Sequence, residues 1–74
     1  MPEINALARR VKAYRDKLGE TQFDLSGEIG ISIEELSLIE RGEANPRLST
    51  MQKIAAHMGI TVSALLETEE VQKE

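Results

Sequence analysis

The chain has 74 residues, a formal net charge of −4 at pH 7 and no cysteine. A chain of this length folds as one domain and buries only about 60% of the surface that its unfolded form exposes. The lack of cysteine excludes a disulfide scaffold and a cysteine-ligated metal site. No apolar run approaches the roughly 20 residues of a membrane span, and residues 1–8 lack the basic segment of a signal peptide. We therefore expect a cytoplasmic protein without a membrane partner.

The charges are unevenly distributed along the chain. Residues 9–17 carry five basic side chains against Asp16, a net charge of +4. Residues 20–43 carry seven acidic side chains against Arg41, a net charge of −6. A segment this acidic repels a polyanion, so the pattern disfavours nucleic acid as the partner of residues 20–43.

Apolar residues recur at helical spacing in five segments, and no segment alternates as a β-strand does. Four of the five glycines follow such a segment, in the position where a left-handed residue commonly ends a helix. The sequence therefore predicts an all-α fold, in which one domain spans residues 4–67 and an acidic tail, residues 68–74, frays. The predicted helices are helix 1 from about Ile4 to Leu18, helix 2 from Thr21 to about Ile29, helix 3 from Ser32 to just before Gly42, helix 4 from about Leu48 to Gly59, and helix 5 from Thr61.

Helix 1 has one apolar face and one basic face. The basic residues Arg9, Arg10 and Lys12 lie opposite the apolar stripe, and we expect them to be solvated. The inward stripe comprises Ile4, Leu7, Ala8, Val11, Tyr14 and Leu18.

Helices 2 and 3 both begin with capping residues. Thr21 with Asp24, and Ser32 with Glu35, have the spacing of a capping box, in which each side chain bonds the other residue's backbone N–H. Only three residues, beginning with Gly30, separate the two helices. A link this short makes the helices cross steeply, with Gly30 in a left-handed turn. Helices 2 and 3 are therefore predicted to form a helix-turn-helix.

A loop at Asn45-Pro46 precedes helix 4, since the residue before a proline avoids the helical region. Arg47 occupies the cap position of helix 4, where serine or threonine is favoured, and Ser49 is the alternative cap. Thr61 caps helix 5. The apolar face of helix 4 comprises Leu48, Met51, Ile54, Ala55 and Met58.

Two side chains fall outside these stripes. His57 is the sole histidine, and without a second histidine or a cysteine it cannot complete a metal site, so we expect a solvated side chain. Phe23 lies off the narrow stripe of helix 2, and we expect it to pack locally. The sequence has no glycine-rich phosphate loop, nucleophile–base pair or paired carboxylates. It therefore predicts neither an enzyme nor a bound cofactor or metal.

Three motifs occur together in the chain: Thr21-Gln22 at the start of helix 2, the sequence IERG followed by Asn45-Pro46, and KIAAHMGITVSALLE. With five helices in this order, they resemble the Xre/Cro/cI family of lambda-repressor-like domains over about residues 6–67. The resemblance implies a five-helix DNA-binding domain whose helix 3 enters the major groove of double-stranded DNA. It further implies a transcription regulator, a repressor that binds a near-palindromic operator as a homodimer.

The resemblance also implies roles for individual residues. Arg15 and Glu40 are expected to form a buried ion pair, since the matched positions commonly pair in the family. The expected phosphate contacts are Thr21, Gln22, Arg41, Asn45 and Arg47. The expected base contacts are Ser32, Ile33, Glu34, Ser37 and Leu38.

The groove-facing positions depart from the family pattern, which commonly places arginine, glutamine, serine, threonine or lysine there. Glu34 can accept a hydrogen bond from cytosine N4, and Ile33 or Leu38 can contact thymine methyl groups. A carboxylate close to phosphates is nonetheless unfavourable. The alternative is a protein-binding helix-turn-helix (an antirepressor, an adaptor or an antitoxin), whose acidic and apolar helix 3 contacts a protein partner.

Overall fold

The computed structural model describes residues 2–67, and the predicted acidic tail at 68–74 lies outside the described residues. The predicted all-α fold is confirmed, because residues 2–67 form five helices and no strand. None of these helices is long and apolar enough to cross a membrane. The helices are α1 (Pro2–Leu18), α2 (Gln22–Ile29), α3 (Ile33–Glu40), α4 (Leu48–Met58) and α5 (Val62–Leu66).

The helix starts follow their capping residues. Thr21 Oγ1 accepts from Asp24 N at 3.1 Å, and Thr21 N donates to Asp24 Oδ2 at 3.4 Å, which completes the predicted capping box. Ser32 Oγ accepts from Glu35 N at 3.0 Å, but the return bond of that predicted box is missing. The Glu35 carboxylate instead accepts from the hydroxyl of Thr50 at 3.0 Å. A buried hydroxyl needs a partner, and this bond ties the first turn of α3 to the first turn of α4.

The start of α4 has no side-chain cap. Arg47 is the N-cap residue and makes no capping hydrogen bond. Ser49, the alternative cap, lies inside the helix, because α4 already begins at Leu48. The first-turn N–H groups of α4 therefore remain available to solvent or to an anion.

The core lies where all five helices meet. Leu18 and Leu48, which were predicted to face inward, are exposed at 43% and 58%. Both lie in the terminal turn of a helix, beyond the neighbours that would cover them. The buried core comprises Leu7, Val11, Leu25, Ile29, Leu36, Ile39, Ile54, Ala55 and Leu65.

An ion pair crosses this core between α1 and α3. Arg15 Nε donates to Glu40 Oε2 at 2.7 Å, and Arg15 Nη2 donates to Glu40 Oε1 at 2.9 Å. The two side chains are only 17% and 4% exposed. Burial alone raises the pKa of the Glu40 carboxyl, but hydrogen bonds from Arg15 and Gln22 outweigh it, and that pKa lies below its ordinary value. The charged form of Glu40 is therefore the one the fold requires.

A second polar chain connects α1, α4 and α2, and it overturns the expectation that His57 is solvated. Tyr14 Oη donates to the backbone oxygen of His57 at 2.9 Å and lies 2.7 Å from His57 Nδ1. The phenol has one proton, and the direction of the bond between Oη and Nδ1 depends on the tautomer of His57. His57 Nε2 lies 3.3 Å from Glu28 Oε1. His57 therefore joins three helices.

Glu20 lies beside this chain, between α1 and α2. Its Oε1 is buried and has no hydrogen-bond partner within the described residues. A hydrogen bond with the Glu28 carboxyl raises the pKa of Glu20, and desolvation adds to the effect. Two carboxyl groups can hydrogen-bond only when one of them holds a proton, so this contact favours protonated Glu20.

Removal of the buried carboxylate should cost far more than removal of an exposed one. Glu40→Ala strands the guanidinium of Arg15, so we expect the free energy of unfolding to fall by about 3 kcal/mol. Glu43→Ala is the matched control, since its ion pair with Arg41 joins side chains that are 59% and 56% exposed. We expect a change below about 1 kcal/mol there. Urea unfolding measures both, and equal losses would contradict the structural role of the pair.

The contributions of Glu20 and Glu40 to the free energy of unfolding should depend on pH in opposite directions. The pKa of Glu20 is raised by folding, so its contribution to stability is complete below the ordinary glutamate value of about 4.3 and is lost as pH rises through the raised pKa. The pKa of Glu40 is lowered, so its contribution is present above about 4.3 and is lost as pH falls below it.

Unfolding free energies of the wild type, Glu20→Gln and Glu40→Gln across this pH range test the signs. The advantage of the wild type over Glu20→Gln should shrink with rising pH, and its advantage over Glu40→Gln should shrink with falling pH. Parallel curves for all three proteins would refute both assignments.

Candidate nucleic-acid interface

The turn between α2 and α3 has the predicted helix-turn-helix geometry. Gly30 adopts φ 92° and ψ 35°, a left-handed conformation that a side chain would strain. Its N–H and that of Ile31 both donate to the Ser26 carbonyl, at 2.8 and 3.0 Å, and so end α2. Ile31 packs partly buried against the core. The turn therefore holds α3 with its apolar stripe inward and its other face toward solvent.

An open concavity of about 460 Å³ lies between the start of α2 and the outer face of α3. It brings together four of the five expected base-contact residues and two of the five expected phosphate-contact residues. Ser32 does not line it, and neither do Thr21, Asn45 and Arg47. The lining residues are Gln22, Ile33, Glu34, Ser37, Leu38 and Arg41.

The outer face of α3 is partly apolar. Ile33 and Leu38 are 43% and 38% exposed, whereas Leu36 and Ile39 on the opposite side are at most 1% exposed. The Ser32 hydroxyl, placed at the start of this face, is engaged as the helix cap. Two branched side chains are thus exposed to solvent rather than packed in the core.

Gln22 is held in place by the buried ion pair. Its Nε2 donates to Glu40 Oε1 at 3.0 Å. An ionised carboxylate can only accept, so this bond fixes which end of the amide faces inward. The carbonyl oxygen and one N–H of Gln22 remain for a ligand. Sequence reasoning missed this link, since nothing in the pattern connects two residues that are 18 positions apart.

Arg41 ends α3, and its side chain turns back on the protein. Its Nη1 donates to Ser37 Oγ at 3.3 Å, and its Nη2 lies 3.4 Å from Glu43 Oε1. The Arg41 side chain is still 56% exposed. Arg41 thus lies at the rim of the concavity, where its charge is shared with Glu43.

Most of the acidic side chains of residues 20–43 form hydrogen bonds or ion pairs with other residues of the protein. Of the seven, only Glu34 lines the concavity. Four of the others contact the protein itself: Asp24 in the capping box, Glu28 beside His57, Glu35 bonded to Thr50 and Glu40 paired with Arg15. Arg15 neutralises Glu40, whereas hydrogen bonds to neutral groups leave the charges of Asp24 and Glu35 in place, so the segment stays acidic around the concavity.

Three of the expected phosphate contacts do not line the concavity. Thr21 caps α2, and its Oγ1 and N–H are already bonded to Asp24. Asn45 and Arg47 are exposed in the segment between α3 and α4. Arg47 adjoins the uncapped start of α4, a combination of charge and backbone donors that suits a phosphate.

Phe23 departs from expectation. Its side chain is 74% exposed in the first turn of α2, so the predicted local packing is wrong. The inward stripe of α2 is narrow, comprising Leu25, Ser26 and Ile29, and Phe23 lies on the opposite side. It follows Gln22 directly but does not line the concavity.

Two short helices joined by a left-handed glycine, with the second offering an exposed face, define a helix-turn-helix protein. A family model described as Helix-turn-helix matches residues 11–65. This match covers most of the chain, and the protein belongs to the Xre/cI-type helix-turn-helix family.

Named relatives agree with this membership. The chain is 43% identical over 61 residues to the HTH-type transcriptional regulator DdrOP3 of Deinococcus deserti, covering 82% of this chain and 47% of that protein. It is 38% identical over 68 residues to the immunity repressor protein of Bacillus phage phi105, covering 92% of this chain and 47% of that protein. The chain thus spans about half the length of these two relatives.

A solved structure has the same fold. The hypothetical transcription factor NHTF from Neisseria superposes with a TM-score of 0.79 at 28% identity, covering 93% of this chain and 79% of that one. The five-helix arrangement is therefore shared with a protein described as a transcription factor.

Proposed function

We propose that the protein is a sequence-specific DNA-binding transcription regulator that inserts α3 into the major groove. The observation that carries the proposal is the concavity that joins Gln22 to the outer face of α3, in a chain of the Xre/cI-type family. Its relatives, an HTH-type transcriptional regulator and an immunity repressor, support regulation and favour repression.

In this docking the contacts to the DNA phosphates position α3 in the major groove. The outer face of α3 then reads the bases. Arg47 and the uncapped start of α4 face a phosphate together. The proposed phosphate contacts are Thr21, Gln22, Arg41, Asn45 and Arg47, and the proposed base contacts are Ser32, Ile33, Glu34, Ser37 and Leu38.

The regulator would act as a homodimer on a near-palindromic operator, with two copies of α3 about 34 Å apart. Residues 4–67 form the DNA-binding domain in this proposal. Val62 and Leu66 of α5, both half-buried, are the dimer contacts that we propose within the described residues; Val71, which extends the same pattern, lies outside them. Sedimentation with and without a selected duplex tests the stoichiometry.

A second function, binding of a protein by the same face, is favoured by one observation. Ile33 and Leu38, which line the same concavity, are exposed by 43 and 38%, and exposed apolar side chains that lie close together commonly mark an interface. An antirepressor, adaptor or antitoxin would use them in this way. Selection of bound duplexes from a random pool separates the two functions, since only a DNA reader enriches a sequence.

The phosphate contacts should act on all duplexes alike. Arg47→Ala should lower affinity for selected and random duplexes by similar factors, and should reduce the slope of log affinity against log salt by about one. Gln22→Ala should also weaken both classes of duplex. Arg9→Ala is the matched control, since this exposed arginine lies on α1 and should leave the slope unchanged. Unchanged affinity and slope for Arg47→Ala would contradict the proposed docking.

Ile33 should read a methyl group. A branched apolar side chain cannot pair with the two acceptors of guanine, but it can contact the C5-methyl of thymine. Replacement of each thymine of a selected half-site by uracil should weaken binding at one position by about fourfold, because a buried methyl group contributes about 0.8 kcal/mol. The same replacement should have no effect on Ile33→Ala. Fluorescence anisotropy measures each affinity, and a uracil scan without any loss would exclude the contact.

A further inference from the structure

We propose that the face formed by Glu34 and Leu38 selects a base that carries both an amino group and a methyl group, namely 5-methylcytosine. The inference rests on the proposed function, since it assumes that α3 enters the major groove. It adds a modified base as the ligand of that face and two residues as its readers.

The donors at the rim of the concavity, Gln22 and Arg41, are partly used by the protein itself. Gln22 Nε2 donates to Glu40 at 3.0 Å, and Arg41 is drawn to Ser37 and Glu43 at 3.3 and 3.4 Å. Guanine presents two acceptors and is read by a bidentate donor. The centre of this face carries no such donor, so it is not a reader of guanine.

Glu34 supplies an acceptor at the middle of the face. It has no ion-pair partner within residues 2–67, although it lines the concavity. A carboxylate that enters a groove loses water, and it regains that energy only by accepting a hydrogen bond. Cytosine N4 and adenine N6 are the base donors that the major groove offers.

Leu38 supplies an apolar surface next to that acceptor. It lies four residues after Glu34 on the same helix, so the two side chains are neighbours, with Cβ atoms about 5–6 Å apart. Both line the same concavity, and Leu38 is 38% exposed. One base edge can therefore meet both side chains.

The bases differ in how they satisfy this pair. Thymine offers a methyl group, but its O4 is an acceptor and repels the carboxylate. Cytosine offers the N4 donor without a methyl group, and adenine offers N6 without one. In 5-methylcytosine the amino and methyl groups stand on adjacent ring atoms, so a single base satisfies Glu34 and Leu38 together.

The test uses the full chain and a duplex selected from a random pool. Each cytosine of the half-site is replaced in turn by 5-methylcytosine and by thymine, and affinity is measured by fluorescence anisotropy. We expect 5-methylcytosine to bind about fourfold more tightly than cytosine at one position, from burial of one methyl group. Thymine at that position should bind at least about tenfold more weakly than 5-methylcytosine, because it leaves the carboxylate unpaired.

Three variants assign the effect to its residues. Leu38→Ala should remove the preference for 5-methylcytosine over cytosine. Glu34→Gln should erase the discrimination against thymine, since an amide can donate to O4 as well as accept from N4. Glu43→Gln is the matched control, an exposed acid outside the concavity, and should leave both preferences intact.

The outcomes separate this inference from the proposed function. A selected duplex that is bound equally with cytosine and 5-methylcytosine at every position overturns the inference and leaves DNA binding standing. A preference for thymine over 5-methylcytosine at the Leu38 position also overturns it. A chain that enriches no duplex at all overturns the proposed function, and the inference falls with it.

Discussion

The ion pair between Arg15 and Glu40 is the interaction on which the arrangement of the first three helices depends. It joins α1 to α3 with two hydrogen bonds, of 2.7 and 2.9 Å, through side chains that are almost fully covered. Removal of two charges from water is costly, and only good geometry and further hydrogen bonds compensate for it. Gln22 and the backbone oxygen of Glu20 supply those bonds. The need to satisfy Glu40 therefore also fixes the first residue of α2.

In this small core the buried polar groups also connect the helices to one another. A chain of this length has little apolar surface to bury, so each buried polar group must also hold helices together. Glu40 joins α3 to α1 through Arg15 and to α2 through Gln22. The chain from Tyr14 through His57 to Glu28 joins α1, α4 and α2. α2 takes part in both networks, and α3 is held by Arg15 and, through Glu35, by Thr50 of α4, so each helix of the helix-turn-helix is held by two polar links.

Local signals in the sequence predicted the fold well. Spacing alone revealed the helix starts at Thr21 and Ser32 and the turn at Gly30. Each of these features depends only on neighbours within a few positions. The wrong predictions share one cause, which is contact between parts of the chain that are distant in sequence. Tyr14 and His57 are 43 positions apart, and Thr50 and Glu35 are 15 apart, so no periodicity relates them. The exposure of Leu18 and Leu48 likewise depends on where a neighbouring helix ends, which a stripe on one helix does not specify.

The bond between Thr50 and Glu35 has a mechanical consequence for a duplex partner. It connects the first turns of α3 and α4, which in the proposed docking are the base-reading helix and the helix start that meets a phosphate. The span between these two points is then set by the protein and not by the duplex. DNA whose groove width differs from that span must deform to make both contacts, and the energy of deformation depends on sequence. Base pairs that no side chain touches would thereby contribute to the choice of operator through their stiffness.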